Sequence, residues 1–256
     1  MTLNDVKYPF SKYLPKAQLL TSSTSRELYC VRVAMDLYKA HLSGKDILYV
    51  TDSQCTEIIL RKGSPKIDLH KIAADIVHFC ESHEIKLVVA WVPRNHNAMA
   101  DFYSKLEDFD DWSLRPEFYQ KISKVSRLDF TLDCFASFEN TKCSKFYTRF
   151  YDYNTSGVDS LKFSWTGEVV WVVPPPRIAV KALVHFKECS CVGAFIVPKW
   201  TGQGFWAMLQ SSEYRKYVTG HYEFMGKKYI SPGMSGNNVF KDFKGILSVF
   251  IFDFRV

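Results

Sequence analysis

Lys86 to Leu106 reads KLVVAWVPRNHNAMADFYSKL, and the organisation of the first half follows from it. Lys86 to Val92 is a Val-rich apolar run, the pattern of a buried strand. Pro93 stops it, because proline cannot donate to a sheet ladder. Arg94 to Asn97 is a polar turn. Ala98 to Leu106 then has helical character, with Asp101 early in it. An acid beside a strand end either caps its own helix or meets a cation.

Two more acids upstream also stand at element ends. In TSSTSREL, Thr24 and Glu27 fit a capping box that opens a helix. Leu28, Val31, Met35, Tyr38 and Leu42 follow at steps of three and four, a single apolar stripe that Gly44 ends. Asp46 to Thr51 (DILYVT) is the next strand and Asp52 closes it. Asp52 suits an Asx turn or the cap of the Ser53 to Leu60 helix. It equally stands where open α/β sheets place ligands. Leu69, Ile72, Ile76 and Phe79 mark a further amphipathic helix, with His70, His78 and His83 read as solvent-facing. The order is helix, strand, helix, helix, strand, helix. Glu27, Asp52 and Asp101 would repel one another if they converged, and divalent cations with a taste for oxygen would relieve that cost.

Composition sets the wider bounds. The chain has 256 residues, 47% of them hydrophobic and 16% aromatic, enough for a substantial core in one or two domains. The net charge of +6 is compatible with nucleic acid. The 7 scattered cysteines lack zinc-type spacing and read as free thiols in a reducing compartment, so an intracellular location is expected. No apolar run is long enough to span a bilayer, so no membrane partner is expected.

Beyond Leu106, Glu107 to Ser113 (EDFDDWS) reads as a solvated acidic linker. A short helix fits Glu117 to Val125. From Arg127 onward short apolar strands dominate, notably Leu132 to Ala136, Glu168 to Val173 (EVVWVV) and Val192 to Val197. PPP at 174 to 176 and a helix over Ile178 to Phe186 lie between the last two. The whole is α/β. Leu247 to Phe254 is a closing strand. Lys227 and Lys228 among Tyr222, Phe224 and Tyr229 read as a surface hairpin, or as a contact for single strands.

SSTSREL (Ser22 to Leu28), RKGS (Arg61 to Ser64), LYVTDSQ (Leu48 to Gln54) and WVPRNHNAMADFYSK (Trp91 to Lys105) together resemble the RNase H domain of retrotransposon polyproteins, most closely the DIRS-type, tyrosine-recombinase elements. The resemblance implies that Glu27, Asp52 and Asp101 are catalytic and metal-binding. It implies Mg²⁺ or Mn²⁺ in a two-metal site, and RNA–DNA hybrid as substrate. The family's first metal-binding Asp lies on a first strand well before the helix Glu. Asp5 is the sole acid before Glu27, in the wrong context. A truncated RNase H-like domain over 1–114, lacking its first strand and impaired in cleavage, is therefore expected.

LDCFAS-x-x-N (Leu132 to Asn140), GVDSL-x-x-SW (Gly157 to Trp165) and VPKW (Val197 to Trp200) resemble the Dam-like region that follows RNase H in the same elements. A second α/β domain over 128–256 is expected, with Asp133 and Asn140 on its cofactor side. The adenine methyltransferase motif needs Asp or Asn, Pro, Pro and an aromatic. Here those positions hold Val173, Pro174, Pro175 and Pro176, so the fold is expected without methyl transfer or S-adenosylmethionine. A nucleic-acid-binding relic without catalysis, or a DNA adenine methyltransferase-like protein, is the alternative to a weak nuclease.

Overall fold

The computed structural model describes residues 1–3, 6–11, 14–106, 108–233, 235 and 237–256, so Asp5 lies outside the described residues. The chain divides into two compact units. Residues 9–106 with Met1 form one, and residues 107–256 with residues 2–8 form the other. The boundary thus falls earlier than the expected 1–114 and 128–256 limits. The physical reason is burial: Trp112, Leu114, Phe118 and Ile122 lie in the core of the second unit.

In the first unit, α1 (Ser23–Leu37) buries Leu28, Val31 and Met35, and the short turn Lys39–Leu42 adds Leu42 to the same stripe. Its cap is Ser22, whose Oγ accepts from Ser25 N, and not the Thr24–Glu27 box. Gly44, at φ +70, ends the segment. β1 (Asp46–Thr51), α2 (Gln54–Lys62), α3 (Ile67–Ser82), β2 (Lys86–Trp91) and α4 (Ala98–Ser104) follow. β1 and β2 pair in parallel, Asp46 opposite Lys86 through Thr51 opposite Trp91. They form a two-stranded sheet. α3 packs on α1, burying Leu69, Ile76 and Phe79. β2 is therefore not the buried strand its Val content suggests. With a single neighbour for each strand, Leu48 and Val88 remain 63% and 50% exposed. Parallel pairs normally have both faces covered.

The second unit opens with β3 (Trp112–Leu114) and α5 (Pro116–Ser126). β4 (Leu132–Ala136), β5 (Lys145–Thr148), β6 (Gly157–Val158), β7 (Val169–Val172), α6 (Ala179–Glu188), β8 (Val192–Pro198), α7 (Gly204–Gln210), β9 (Val218–Met225), β10 (Ile230–Pro232) and β11 (Ile246–Asp253) complete it. The main sheet has seven strands in the order β9-β11-β8-β7-β4-β5-β6. β11 alone is antiparallel to its neighbours; the other pairs run parallel.

Both faces of that sheet are covered. α6 presents Ala179, Ala182, Leu183 and Phe186 to one face, where they meet Val170, Val172, Phe195 and Phe250. On the other face Phe118 and Ile122 of α5, with Trp112 and Ile230, meet Trp171, Ala194, Ile196 and Val249. A strand buried on both sides reads as a continuous apolar run, and β8 (VGAFIVP) is buried at every residue. Gly193 belongs there because an added Cβ would lie 2.0 Å from Val170 O of the neighbouring strand. All seven cysteines are free. Among the described residues no helix is long and apolar enough to cross a membrane.

Candidate functional site

In the first unit Glu27 and Asp52 each accept a hydrogen bond from a side chain distant in sequence, and Asp101 is ion-paired. Ser53 caps α2 by accepting from Thr56 N, directly after Asp52. Thr56, fully buried, donates from Oγ1 to Glu27 Oε2 at 2.8 Å. That is the partner of Glu27, in place of its own helix cap. Asp52 receives Asn97 Nδ2 on Oδ1 at 3.0 Å, and its carbonyl receives Trp91 Nε1 at 3.1 Å. The polar turn after β2 is therefore held against the end of β1. Tyr49 has its hydroxyl pKa raised, first by burial, with Glu27 and Asp52 adding to the effect.

Asp101 differs from the other two. Its Oδ1 takes Arg94 Nη2 and its Oδ2 takes Lys105 Nζ, each at 2.5 Å. Lys105 and then Arg94 hold this carboxyl below its ordinary pKa. Both oxygens of the third acid thus carry protein cations. Among the described residues no three His, Cys, Asp or Glu side chains are arranged to hold a metal ion. Thr56 engages one carboxylate oxygen of Glu27 and Asn97 one of Asp52, whereas Arg94 and Lys105 engage both of Asp101. Of these four, Asn97, Arg94 and Lys105 sit inside the quoted motif. Thr56 had no signal beyond its place in a helix start, since its partner Glu27 lies 29 residues earlier.

The same segment exposes a mixed surface. Arg94 and Lys105 have side chains 70% and 65% exposed, with Trp91, Met99 and Phe102 also open to solvent. Cations interleaved with flat apolar groups are what nucleic-acid strands find on stacking platforms.

In the second unit Asp133 and Asn140 shape the loop after β4. Asp133, 3% exposed, accepts Phe135 N on Oδ1 at 3.4 Å and Lys142 N on Oδ2 at 3.0 Å. Burial raises its carboxyl to about 6, against the pull of those two hydrogen bonds. Asn140 Oδ1 accepts Ser137 N at 2.8 Å. The acceptor oxygens of both predicted cofactor residues are therefore occupied by backbone donors.

The order of the strands places a switch point between β4 and β7, the position where open α/β sheets form ligand crevices. Here that crevice is filled. Trp112 lies over it, donates Nε1 to Pro174 O at 3.0 Å, and stacks on Phe240 with ring centroids 4.7 Å apart. The space left among Trp112, Asp133, Asn140 and Val173 is no more than 210 Å³. Small-molecule pockets begin at roughly 300 Å³. A wider open groove lined by Val184, Lys187, Met208 and Tyr214 contains none of these residues.

The acidic stretch before Trp112 is not a solvated linker. Asp110 is 4% exposed, and Asp108 is paired with both Arg149 and Arg177. Asp111 is raised to about 6 by burial and by the nearby Asp108. The chain matches no known protein family and no curated protein.

Proposed function

We propose that this chain pairs an RNase H-like unit with a Dam-like unit, and that it binds RNA–DNA hybrid without hydrolysing it at an appreciable rate. What carries the proposal is the state of Asp101, ion-paired on both carboxylate oxygens by Arg94 and Lys105. To face Asp52 across a metal it would have to leave both cations.

Binding is supported by the exposed Trp91, Arg94, Phe102 and Lys105 on one short segment, and by the net charge of +6. Arg94 and Lys105 with Asp101 between them leave one net positive charge to attract phosphates, and the rings offer stacking faces. The hydrogen bond from Asn97 to Asp52 fixes the segment to the sheet end, so that its cations arrive pre-positioned.

The strand order of the second unit supports the Dam-like half of the proposal. That unit has a mostly parallel seven-stranded sheet with helices on its faces and its last strand reversed, an α/β arrangement of the class that the resemblance implies. Methyl transfer is not part of the proposal. Val173 offers no side-chain acceptor for an amine, and Pro176 no aromatic face.

The test is a labelled RNA–DNA hybrid titrated with the full chain, with binding read by anisotropy and cleavage by gel in the presence of Mg²⁺ or Mn²⁺. Saturable binding with intact RNA is expected, weakened when Arg94 and Lys105 become Ala. Absence of binding would refute the proposal.

A further inference from the structure

Arg149 is the first residue beyond β5, and Arg177 lies in the turn after β7 (Pro176–Ile178). β5 and β7 flank β4 on either side. Two guanidinium groups thus stand astride the switch point at the carboxyl edge of the sheet. They converge on a single carboxylate. Arg177 Nη2 meets Asp108 Oδ1 at 2.8 Å, and Arg149 Nη1 meets Asp108 Oδ2. Arg177 also approaches Asp110 Oδ1 through Nε at 3.4 Å, and that buried oxygen accepts no hydrogen bond. Both cations remain about one-third exposed at the side chain. Each lies over a ring, Arg149 on Phe150 and Arg177 on Phe109.

A carboxylate held by two Arg forks presents one negative charge and two oxygens in the geometry that guanidinium groups also use for phosphate. A phosphodiester presents the same charge and the same pair of free oxygens. Exposed ion pairs of this type are worth only about 0–1 kcal/mol, so an external anion can displace the internal one. Flanking rings favour a strand whose bases are unpaired and free to stack.

We infer that Arg149 and Arg177 form a phosphodiester clamp for single-stranded nucleic acid, which Asp108 occupies in cis as a stand-in for the phosphate. The ligand competes with the chain's own acidic segment, and Trp112, anchored to Pro174, keeps that segment in place. Its residues are not those of the hybrid-binding surface proposed for the first unit.

The experiment is anisotropy of labelled oligothymidine with the full chain at two salt concentrations, about 50 and 200 mM. Asp108→Ala is expected to tighten binding severalfold to about tenfold, the relief of two internal ion pairs of about 0–1 kcal/mol each. Adding Arg149→Ala or Arg177→Ala to that variant should return binding to the wild-type level and flatten the salt dependence. Asp242→Ala, an exposed acid elsewhere, should leave it unchanged. Equal tightening by Asp242→Ala, no tightening by Asp108→Ala, or failure of the Arg substitutions to reverse it overturns the inference. So does preference of the Asp108→Ala chain for phosphatidylserine vesicles over the oligonucleotide. Asp108→Asn repeats the test with the side-chain shape kept, should the Ala variant misfold.

Discussion

Asp133 makes the second unit less stable as the solution becomes less acidic. Its carboxyl is moved from 3.8 to about 6, with burial the largest cause. A folded state that raises an acid's pKa prefers the protonated form. The associated stability is fully present below about 3.8 and is lost as pH rises through about 6. At roughly 1.4 kcal/mol per tenfold difference in proton affinity, the move corresponds to about 3 kcal/mol between pH 4 and pH 7. Asp111, also raised to about 6, adds a loss of the same sign in the same window. Carboxylates held low, such as Glu168 by Lys145 and Asp253 by Arg255, act at more acid pH with the opposite sign. Urea unfolding followed by tryptophan fluorescence at steps from pH 4.5 to 7.5 reads the slope. Asp133→Asn keeps one oxygen for Lys142 N and removes the charge, so the slope should shrink to the part that Asp111 supplies. A slope identical in wild type and Asp133→Asn, or stability that rises across this window, would refute the reasoning.

Other expectations concern single contacts. Thr56→Val removes the hydroxyl that Glu27 accepts from and should lower the stability of the first unit by about 1–2 kcal/mol, read by chemical denaturation. Gly193→Ala places a methyl against Val170 O in the most buried strand and should cost more than about 3 kcal/mol or prevent folding, read by thermal melting and soluble yield. Val173→Asn with Pro176→Tyr, incubated with S-adenosylmethionine and DNA, should yield no methyladenine and no cofactor binding by calorimetry, because Trp112 fills the crevice.

The parts of the fold that were legible in the sequence are those set by local periodicity. The apolar stripe Leu28, Val31, Met35, Tyr38 and Leu42 is buried along its length. The strands over 46–51, 132–136, 192–198 and 246–253 lie close to where their patterns put them. Local pattern could not say how many neighbours a strand has. The Val-rich run of β2 looks like a central strand, yet Val88 is half exposed because, among the described residues, β1 and β2 pair only with each other. Nor does a run of acids reveal that Arg149 and Arg177, some 40 and 70 residues later, will neutralise it. The candidate acids were legible by position, but their partners were not. Asp101 sits on a helix, and the i+4 Lys105 is visible in sequence as a helical neighbour. Its coincidence with Arg94 at the second oxygen depends on the turn geometry of 94–97.

The account depends most on Asp101 being held by cations while the chain grips nucleic acid without cutting it. Single-turnover incubation of the full chain with labelled RNA–DNA hybrid and Mg²⁺ or Mn²⁺, with binding measured in the same samples, addresses this directly. Bound hybrid with its RNA intact is the predicted result. Rapid cleavage of the RNA strand that Asp52→Asn abolishes would contradict it.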